Sequence, residues 1–339
     1  MNSPIDPTDV LGWLEDAGVA EGRGLEIGPL NKPRLTKDRY RVRYVDHAST
    51  ADLREKYASD KAMANHLDDI VDVDFVWSGE QSLAAVVGTE APVEFVFASH
   101  VAEHAPDLIG WLRQLGAVLS TGGRLCLAIP DKRLCGDVNR DLTTMADLVD
   151  AHLRALRAPG FRQIYDFHSR IVDVDGDAMW AGSIDYSGTE RTDLDPDQWA
   201  YELCRKHQAS GEYIDGHCQV FTPTSFLDVY ARLVALDLID YEITAFHPSV
   251  PGTIEFRLTL TTLDPSMPDA ERRARQLASI PEFEDTVPAP RLNAPAPGQA
   301  RPYFGVSERE ESFILAKRRL VEGARGLFSR GRSGSGGTA

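Results

Sequence analysis

The chain lacks the features of a secreted, membrane-spanning or cysteine-ligated protein. It has four cysteines in 339 residues (Cys126, Cys135, Cys204 and Cys218), none of them in a Cys-x-x-Cys pair. That spacing excludes a zinc knuckle or redox dithiol, and so few cysteines in so long a chain make no disulfide framework. Cys126 lies in an apolar run and reads as a small hydrophobe. No apolar run approaches the ~18 residues that span a bilayer. Met1 to Pro7 is polar and acidic where a leader would be basic and then apolar, so the expected location is the cytoplasm. Positive charge is also scarce, with 36 Lys and Arg against 52 Asp and Glu, a formal net charge of -16. Residues 263–339 hold 12 Lys and Arg against 10 Asp and Glu, which leaves -18 on residues 1–262. Phosphate neutralisation dominates nucleic-acid binding, so this balance argues against nucleic acid as a partner. The length suffices for one large core or two modest ones.

A glycine-rich phosphate loop is missing too. Gly24-Leu25-Glu26-Ile27-Gly28 reads as a short strand ending on an acid and a glycine, and Val42-Arg43-Tyr44-Val45-Asp46 as a second strand ending on an acid. Gly22 and Gly24 precede the first strand, and only Gly28 remains after it, followed by Pro29, Asn31 and Pro33. Backbone amides that crowd a pyrophosphate need such glycines after the strand. Adjacent strand ends in a doubly wound sheet hold nucleoside cofactors, and a carboxylate there accepts bonds from both ribose hydroxyls. A nucleoside without phosphates, such as S-adenosylmethionine, fits the missing loop. The plainer alternative is a turn glycine and a surface acid.

The order of elements supports a sheet of that kind. Residues 8 to 20 pattern as a helix, 50 to 65 as another, and 70 to 77 as a third strand. Leu83 to Val87 form a short helix, and Val93 to Ser99 a strong fourth strand. Leu108 to Leu119 is helical, stopped by Gly122-Gly123, and Arg124 to Ile129 is a fifth strand. Strands alternating with helices predict a parallel sheet with right-handed crossovers. Residues 136 to 216 break the rhythm and read as an insertion. Thr222-Pro223 then starts a helix to about Leu236, and residues 240–246 and 254–263 form an antiparallel pair. The predicted fold class is α/β: a Rossmann-like, doubly wound, mainly parallel sheet with a closing antiparallel hairpin, an insertion and a C-terminal tail. The expected domains are a core of 1–135 and 217–263, an acceptor lid of 136–216, a linker of 264–307, and a basic helix with a disordered end over 308–339. The basic end suits a membrane surface or protein contact, or simply a solvated terminal helix.

Four segments carry a resemblance: Leu25-Glu26-Ile27-Gly28, Tyr44-Val45-Asp46, Ala98-Ser99-His100-Val101-Ala102-Glu103-His104 and Leu119-Ser120-Thr121-Gly122-Gly123-Arg124-Leu125. Over residues 20–135 and 217–262 the chain resembles the class I S-adenosylmethionine-dependent methyltransferases of the bacterial branch often called type 11. Pro29-Leu30 after Gly28 departs from the usual E-x-G-x-G. The resemblance implies that S-adenosylmethionine is the cofactor. Glu26 and Gly28 would line its methionine side, Asp46 would hold the ribose, and Asp74 or Trp77 would flank the adenine. Ser99 and His100 would stand beside the transferable methyl.

Methyl transfer is an in-line displacement that depends on alignment and a dry pocket, and an alcohol acceptor also needs a base. The candidate bases are His100, Asp131 and His217, each of which has a plain structural reading as well. In the insertion, Tyr165, Asp166, His168, Trp180, Tyr186 and Trp199 suit a sugar acceptor or the insertion's own small core. Lys132, Arg133 and Arg140 suit an anionic acceptor or offset local acids. His100-Val101-Ala102-Glu103-His104 also spells H-x-x-E-H, an inverted zinc-protease motif. That chemistry needs both histidines on one helix face, and Pro106 leaves no room for the helix. No metal is therefore expected, and His104 reads as a structural hydrogen-bonding residue. The function expected is methyl transfer to a small-molecule or glycan-like acceptor at oxygen. The alternatives are a scaffold that binds without turnover and a nicotinamide oxidoreductase.

Overall fold

In Gly24-Leu25-Glu26-Ile27 and again in Phe95-Val96-Phe97-Ala98 every residue is buried, which requires strands covered on both faces. The computed structural model describes residues 8–60, 63–182 and 195–288. Seven strands form one sheet: β1 (Arg23–Ile27), β2 (Arg41–Asp46), β3 (Phe75–Val76), β4 (Val93–Ser99), β5 (Leu119–Pro130), β6 (Tyr241–His247) and β7 (Glu255–Thr262). Their order is β3-β2-β1-β4-β5-β7-β6. The first five are parallel, while β7 runs antiparallel to β5 and β6 antiparallel to β7. The predicted doubly wound sheet and its closing hairpin are both present.

Two apolar layers follow from the period of two along the strands. Leu25, Ile27, Val96, Ala98, Leu125 and Leu127 face α3 (Leu83–Val87), α4 (Leu108–Gly116) and α9 (Pro223–Ala235). Phe95, Phe97 and Cys126 face α1 (Val10–Asp16), the side chain of Leu35 and two tyrosines, Tyr40 and Tyr44. Gly24 belongs to this packing: a Cβ there would stand 2.3 Å from the Phe95 carbonyl and 2.4 Å from its ring. Cys126 is wholly buried, and burial pushes its thiol up to about 12, as befits a small hydrophobe.

Several predicted boundaries change. α2 (Thr50–Tyr57) is capped by Ser49 and ends well before residue 65. The third strand is reduced to Phe75–Val76 because the Val71 amide bonds to Leu30 in the loop after β1. Gly122-Gly123 does not stop α4. The pair sits inside β5, where the pairing jumps from Val93↔Leu119 to Phe95↔Arg124, and Gly122 has φ of 75°. Glycine adopts that left-handed backbone without the strain a side chain would add. In the insertion, α6 (Phe161–Arg170) and α8 (Pro196–Ser210) bury Ile164, Trp199 and Leu203 with Ile214. α5 (Met145–Leu153) docks on α4, where His152 Nδ1 bonds to the helix-capping Asp107 at 3.0 Å. α7 (Gly176–Trp180) packs Met179 with Leu134, Val138 and Val172.

The linker expected from residue 264 is corrected over its described part. α10 (Asp269–Ala278) packs on α9 and β6. The buried Gln276 donates Nε2 to the carbonyls of Ile239 and Tyr241, both at 2.9 Å, and Phe283 packs on Phe246. The composition looked loose because this helix is held by polar groups more than by an apolar stripe. The rest of the linker, the basic C-terminal helix, the disordered end and Tyr186 lie outside the described residues. Among the described residues no helix is long and apolar enough to cross a membrane.

Gln276→Ala removes the donor that the Ile239 carbonyl depends on. It is expected to cost about 1–3 kcal/mol in urea unfolding, whereas a loose linker would show no change.

Candidate functional site

The register places Ile27 beside both Val45 and Ala98. Gly28, Asp46 and Ser99 therefore leave the carboxyl edge of the sheet side by side, where the strand order reverses between β1 and β4. Open α/β sheets bind ligands at that crevice. Gly28 turns with φ of 64°, and a Cβ on it would stand 2.9 Å from Val101 Cγ2. Both facts require glycine. Asp46 is 5% exposed, and its Oδ1 accepts the His47 amide and meets His47 Nδ1, each at 2.7 Å.

Two of the residues assigned to the cofactor have partners within the protein. Glu26 is buried, and its two oxygens accept the amides of Arg34 and Leu35 at 2.8 and 3.0 Å. It pins the loop after β1. Burial pushes its carboxyl up to about 7 against the pull of those two amides. Asp74 precedes β3 and is committed to the Tyr44 amide at 2.7 Å, with Lys37 Nζ at 2.7 Å and Arg43 at 3.5 Å. It stabilises the sheet edge. Trp77 is half-buried at the end of β3, and its amide bonds to the Asp46 carbonyl at 2.7 Å.

The candidate bases also separate. Asp131 is fully buried and accepts the Arg133 amide and guanidinium and the Ser249 hydroxyl. Both of its oxygens are engaged within the protein, which favours its structural reading. His100 ends β4 at φ of 55°, its amide bonded to Ala128. Its Nε2 lies 3.3 Å from Glu255 Oε2 and its Nδ1 3.7 Å from Glu103 Oε1. Partial burial of the ring lowers its pKa, but the two carboxylates outweigh that and the net shift is upward. His217 is nearly buried, with Nδ1 2.6 Å from Asp137 Oδ2. Asp137 is held well below the usual carboxylate range: burial pushes it up, but His217 and Arg140 prevail.

The sequence reading missed the network that joins these groups. His104 meets His217 edge to face at 4.7 Å, and its Nδ1 lies 3.1 Å from Asp215. Asp215 also takes Lys56 Nζ at 3.3 Å, and Lys56 reaches His47 Nε2 at 3.2 Å. One polar chain thus runs from Asp46 to His217. The signal was available in part, since Asp215 stands two residues before His217 in the sequence.

The insertion's aromatics are mostly structural. Trp199 is 2% exposed, and Trp180 donates to the Thr253 carbonyl while packing on Val174 and its neighbours. Arg140 is enclosed by Asp137, Asp166 and the His217 carbonyl, and Arg133 by Asp131 and Asp285. Lys132 donates to the Arg140 carbonyl. These cations offset local acids, and the anionic-acceptor alternative loses its support.

No family model and no curated protein matches the chain. Among solved structures it is similar to the CurJ carbon methyltransferase at 14% identity and a TM-score of 0.33, over 72% of this chain and 49% of that one. The chain thus spans about half the length of that protein. It is also similar to the glycopeptide N-methyltransferase MtfA complexed with S-adenosyl-L-homocysteine, at 12% identity and a TM-score of 0.34, over 75% of this chain and 87% of that one. A third is a putative S-adenosylmethionine-dependent methyltransferase from Listeria monocytogenes, at 9% identity and a TM-score of 0.36, over 75% and 96% of the two chains.

The raised Glu26 carboxyl has a pH consequence. The unfolded chain ionises it near 4.5, while the folded chain keeps its proton up to about 7. Its contribution is therefore fully present below the lower value and is lost as the pH rises between the two. Relative to Glu26→Gln, the wild type should lose at most about 3 kcal/mol across that window, measured by urea unfolding at each pH. Parallel pH profiles would refute the raised carboxyl. The parallel sheet, its reversal between β1 and β4 and its antiparallel close make up the fold that the resemblance to class I S-adenosylmethionine-dependent methyltransferases implies.

Proposed function

We propose that the chain transfers a methyl group from S-adenosylmethionine to a small-molecule or glycan-like acceptor, at an oxygen atom. The observation that carries this reading is the row of Gly28, Asp46 and Ser99 at the reversal point of the sheet, with a buried carboxylate and no phosphate loop. The residues fit a nucleoside. Asp46 Oδ1 is committed to His47, which orients the carboxylate and leaves Oδ2 to accept from a ribose. Trp77, whose amide bonds to the Asp46 carbonyl, offers a half-buried ring on the next strand, and Gly28 keeps the backbone turn clear of side-chain atoms. The loop that would face the methionine end is shaped by Glu26 through the Arg34 and Leu35 amides.

The cofactor supplies an electrophilic methyl carried on a sulfonium. The chain supplies alignment and a proton acceptor. His100 sits directly after Ser99, and Glu255 and Glu103 raise its basicity. A hydroxyl acceptor placed against His100 would lose its proton to the ring as the new bond forms, and the resulting imidazolium would be stabilised by both carboxylates. Oxygen is favoured because a histidine held between two acids is built to take up a proton. A nicotinamide cofactor is disfavoured by the single glycine after β1.

Binding of S-adenosylmethionine by isothermal titration calorimetry tests the reading, with NAD and NADP titrated alongside. Saturable binding is expected for S-adenosylmethionine alone. Asp46→Ala should weaken it roughly tenfold, about 1.4 kcal/mol for one lost charge-assisted contact. A folded wild type that binds none of it would overturn the enzyme reading in favour of a scaffold.

A further inference from the structure

We propose that Glu103, His104 and His217 form a binding site for a divalent first-row transition-metal ion. The ligand atoms of the three residues lie within 4.8 Å of one another. They come from two places in the chain: Glu103 and His104 from the turn Ala102–His104 after β4, and His217 from the segment returning out of the insertion. The Glu103 carbonyl holds the two together, accepting the amides of Cys218 at 2.6 Å and Gln219 at 2.9 Å.

A second, independent observation points to a ligand. The Glu103 side chain is 3% exposed, and neither of its carboxylate oxygens has a hydrogen-bond partner. The His100 ring nitrogen stands 3.7 Å away, too far for a hydrogen bond. A buried carboxylate left in that state is costly unless something charged meets it. Glu26, equally buried, shows the ordinary solution of two backbone amides on its two oxygens. Glu103 has no such arrangement, and a cation held jointly with two imidazoles would supply it.

The histidines are oriented for that task. Asp215 lies 3.1 Å from His104 Nδ1 and Asp137 2.6 Å from His217 Nδ1. A carboxylate on Nδ1 fixes the proton there and puts the lone pair on Nε2, as around metal-ligating histidines generally. The two carboxylates are themselves anchored, Asp137 by Arg140 at 2.7 Å and Asp215 by Lys56 at 3.3 Å. Two imidazoles and one carboxylate suit zinc, iron(II), cobalt(II) or manganese(II) better than calcium or magnesium, which prefer all-oxygen shells. Three protein ligands also leave coordination positions for an exogenous oxygen. The H-x-x-E-H motif had been set aside for want of a helix, and residues 102–104 are indeed only a short 3-10 turn. The set assembled in space is a different one, with the second histidine brought from 113 residues further along the chain. Use of the site to hold an acceptor hydroxyl as its more nucleophilic oxyanion rests on the proposed methyl transfer. The site itself does not.

The test uses the full chain, stripped with EDTA and desalted, then titrated with the chlorides of cobalt(II), zinc and manganese(II). Calorimetry gives stoichiometry and affinity, cobalt absorption bands report the ligand field, and the melting temperature reports linkage to folding. The expected result is one ion per chain, a higher melting temperature, and loss of both in His217→Ala and Glu103→Gln. Glu103→Gln keeps the shape and removes the buried charge, so without metal it should melt at or above the wild-type temperature, showing that loss of binding is not loss of fold. Asp215→Asn, at a half-exposed position, should weaken the ion roughly tenfold. Absence of saturable binding, or binding that Glu103→Gln leaves intact, would overturn the site. Metal binding without S-adenosylmethionine binding would overturn the proposed function alone.

Discussion

The Glu103 carbonyl that accepts two consecutive amides, from Cys218 and Gln219, is the joint on which the functional end of the molecule depends. It is a backbone contact between residues more than 110 positions apart. The turn after β4 thereby fixes where the insertion rejoins the core. Gln219 reinforces the joint by donating Nε2 to the Ala105 carbonyl at 2.9 Å. Because backbone groups carry it, the joint places the neighbouring side chains without depending on what they are. His217 stands beside His104 for that reason, and Asp215, two residues earlier, reaches the same ring from the other side.

From this joint the electrostatics spread in both directions. Asp215 links His104 to Lys56 on α2, and Lys56 links onward to His47 and Asp46 at the carboxyl end of β2. Asp137 links His217 to Arg140, which crosses to Asp166 on α6 and binds the His217 carbonyl. Carboxylates alternate with histidines or cations along much of both arms, so Asp215 and Asp137 each have a partner of opposite or titratable character in a fixed direction. The insertion is thus wired to the carboxyl edge of the sheet through ion pairs, while its own small core around Ile164 and Trp199 keeps it folded.

The parts of the fold that were legible in the sequence are those that local patterns determine. β1, β2, β4, α9 and the final hairpin sit where apolar runs, the Thr222-Pro223 start and turn residues put them, because burial on two faces and a capping box are properties of neighbouring residues. The third strand was over-read, since its apolar run pairs partly with the loop at Leu30 in place of β2. Gly122-Gly123 was misassigned because a glycine pair serves a helix end and a bulge equally well, and only the partner strand decides. α10 was missed because Gln276 and Arg275 attach it, and polar anchors leave no apolar period to detect. In the site, strand-end logic put Gly28, Asp46 and Ser99 at the carboxyl edge, where the register brings them side by side. The commitment of Asp131 was not legible, because one of its partners, Ser249, lies 118 positions away.

Glu26 and Glu103 show why residue type alone was an incomplete guide. Glu26 lies near the end of β1 and Glu103 in the turn that follows the adjacent β4, and both are almost wholly removed from water. An elementary desolvation argument treats them alike, since either carboxylate is unfavourable there unless compensated. The difference lies in what the backbone offers. After β1 the loop folds back and presents two amides, so Glu26 becomes an internal brace whose role ends at the loop it holds. After β4 the turn presents its carbonyl to the returning chain, which consumes the backbone's bonding capacity in the opposite sense and leaves the Glu103 side chain without donors. A carboxylate satisfied by its own loop stabilises the fold. A carboxylate that the fold buries without a hydrogen bond, with His100 3.7 Å away and two further imidazoles beside it, is arranged for a further positive charge.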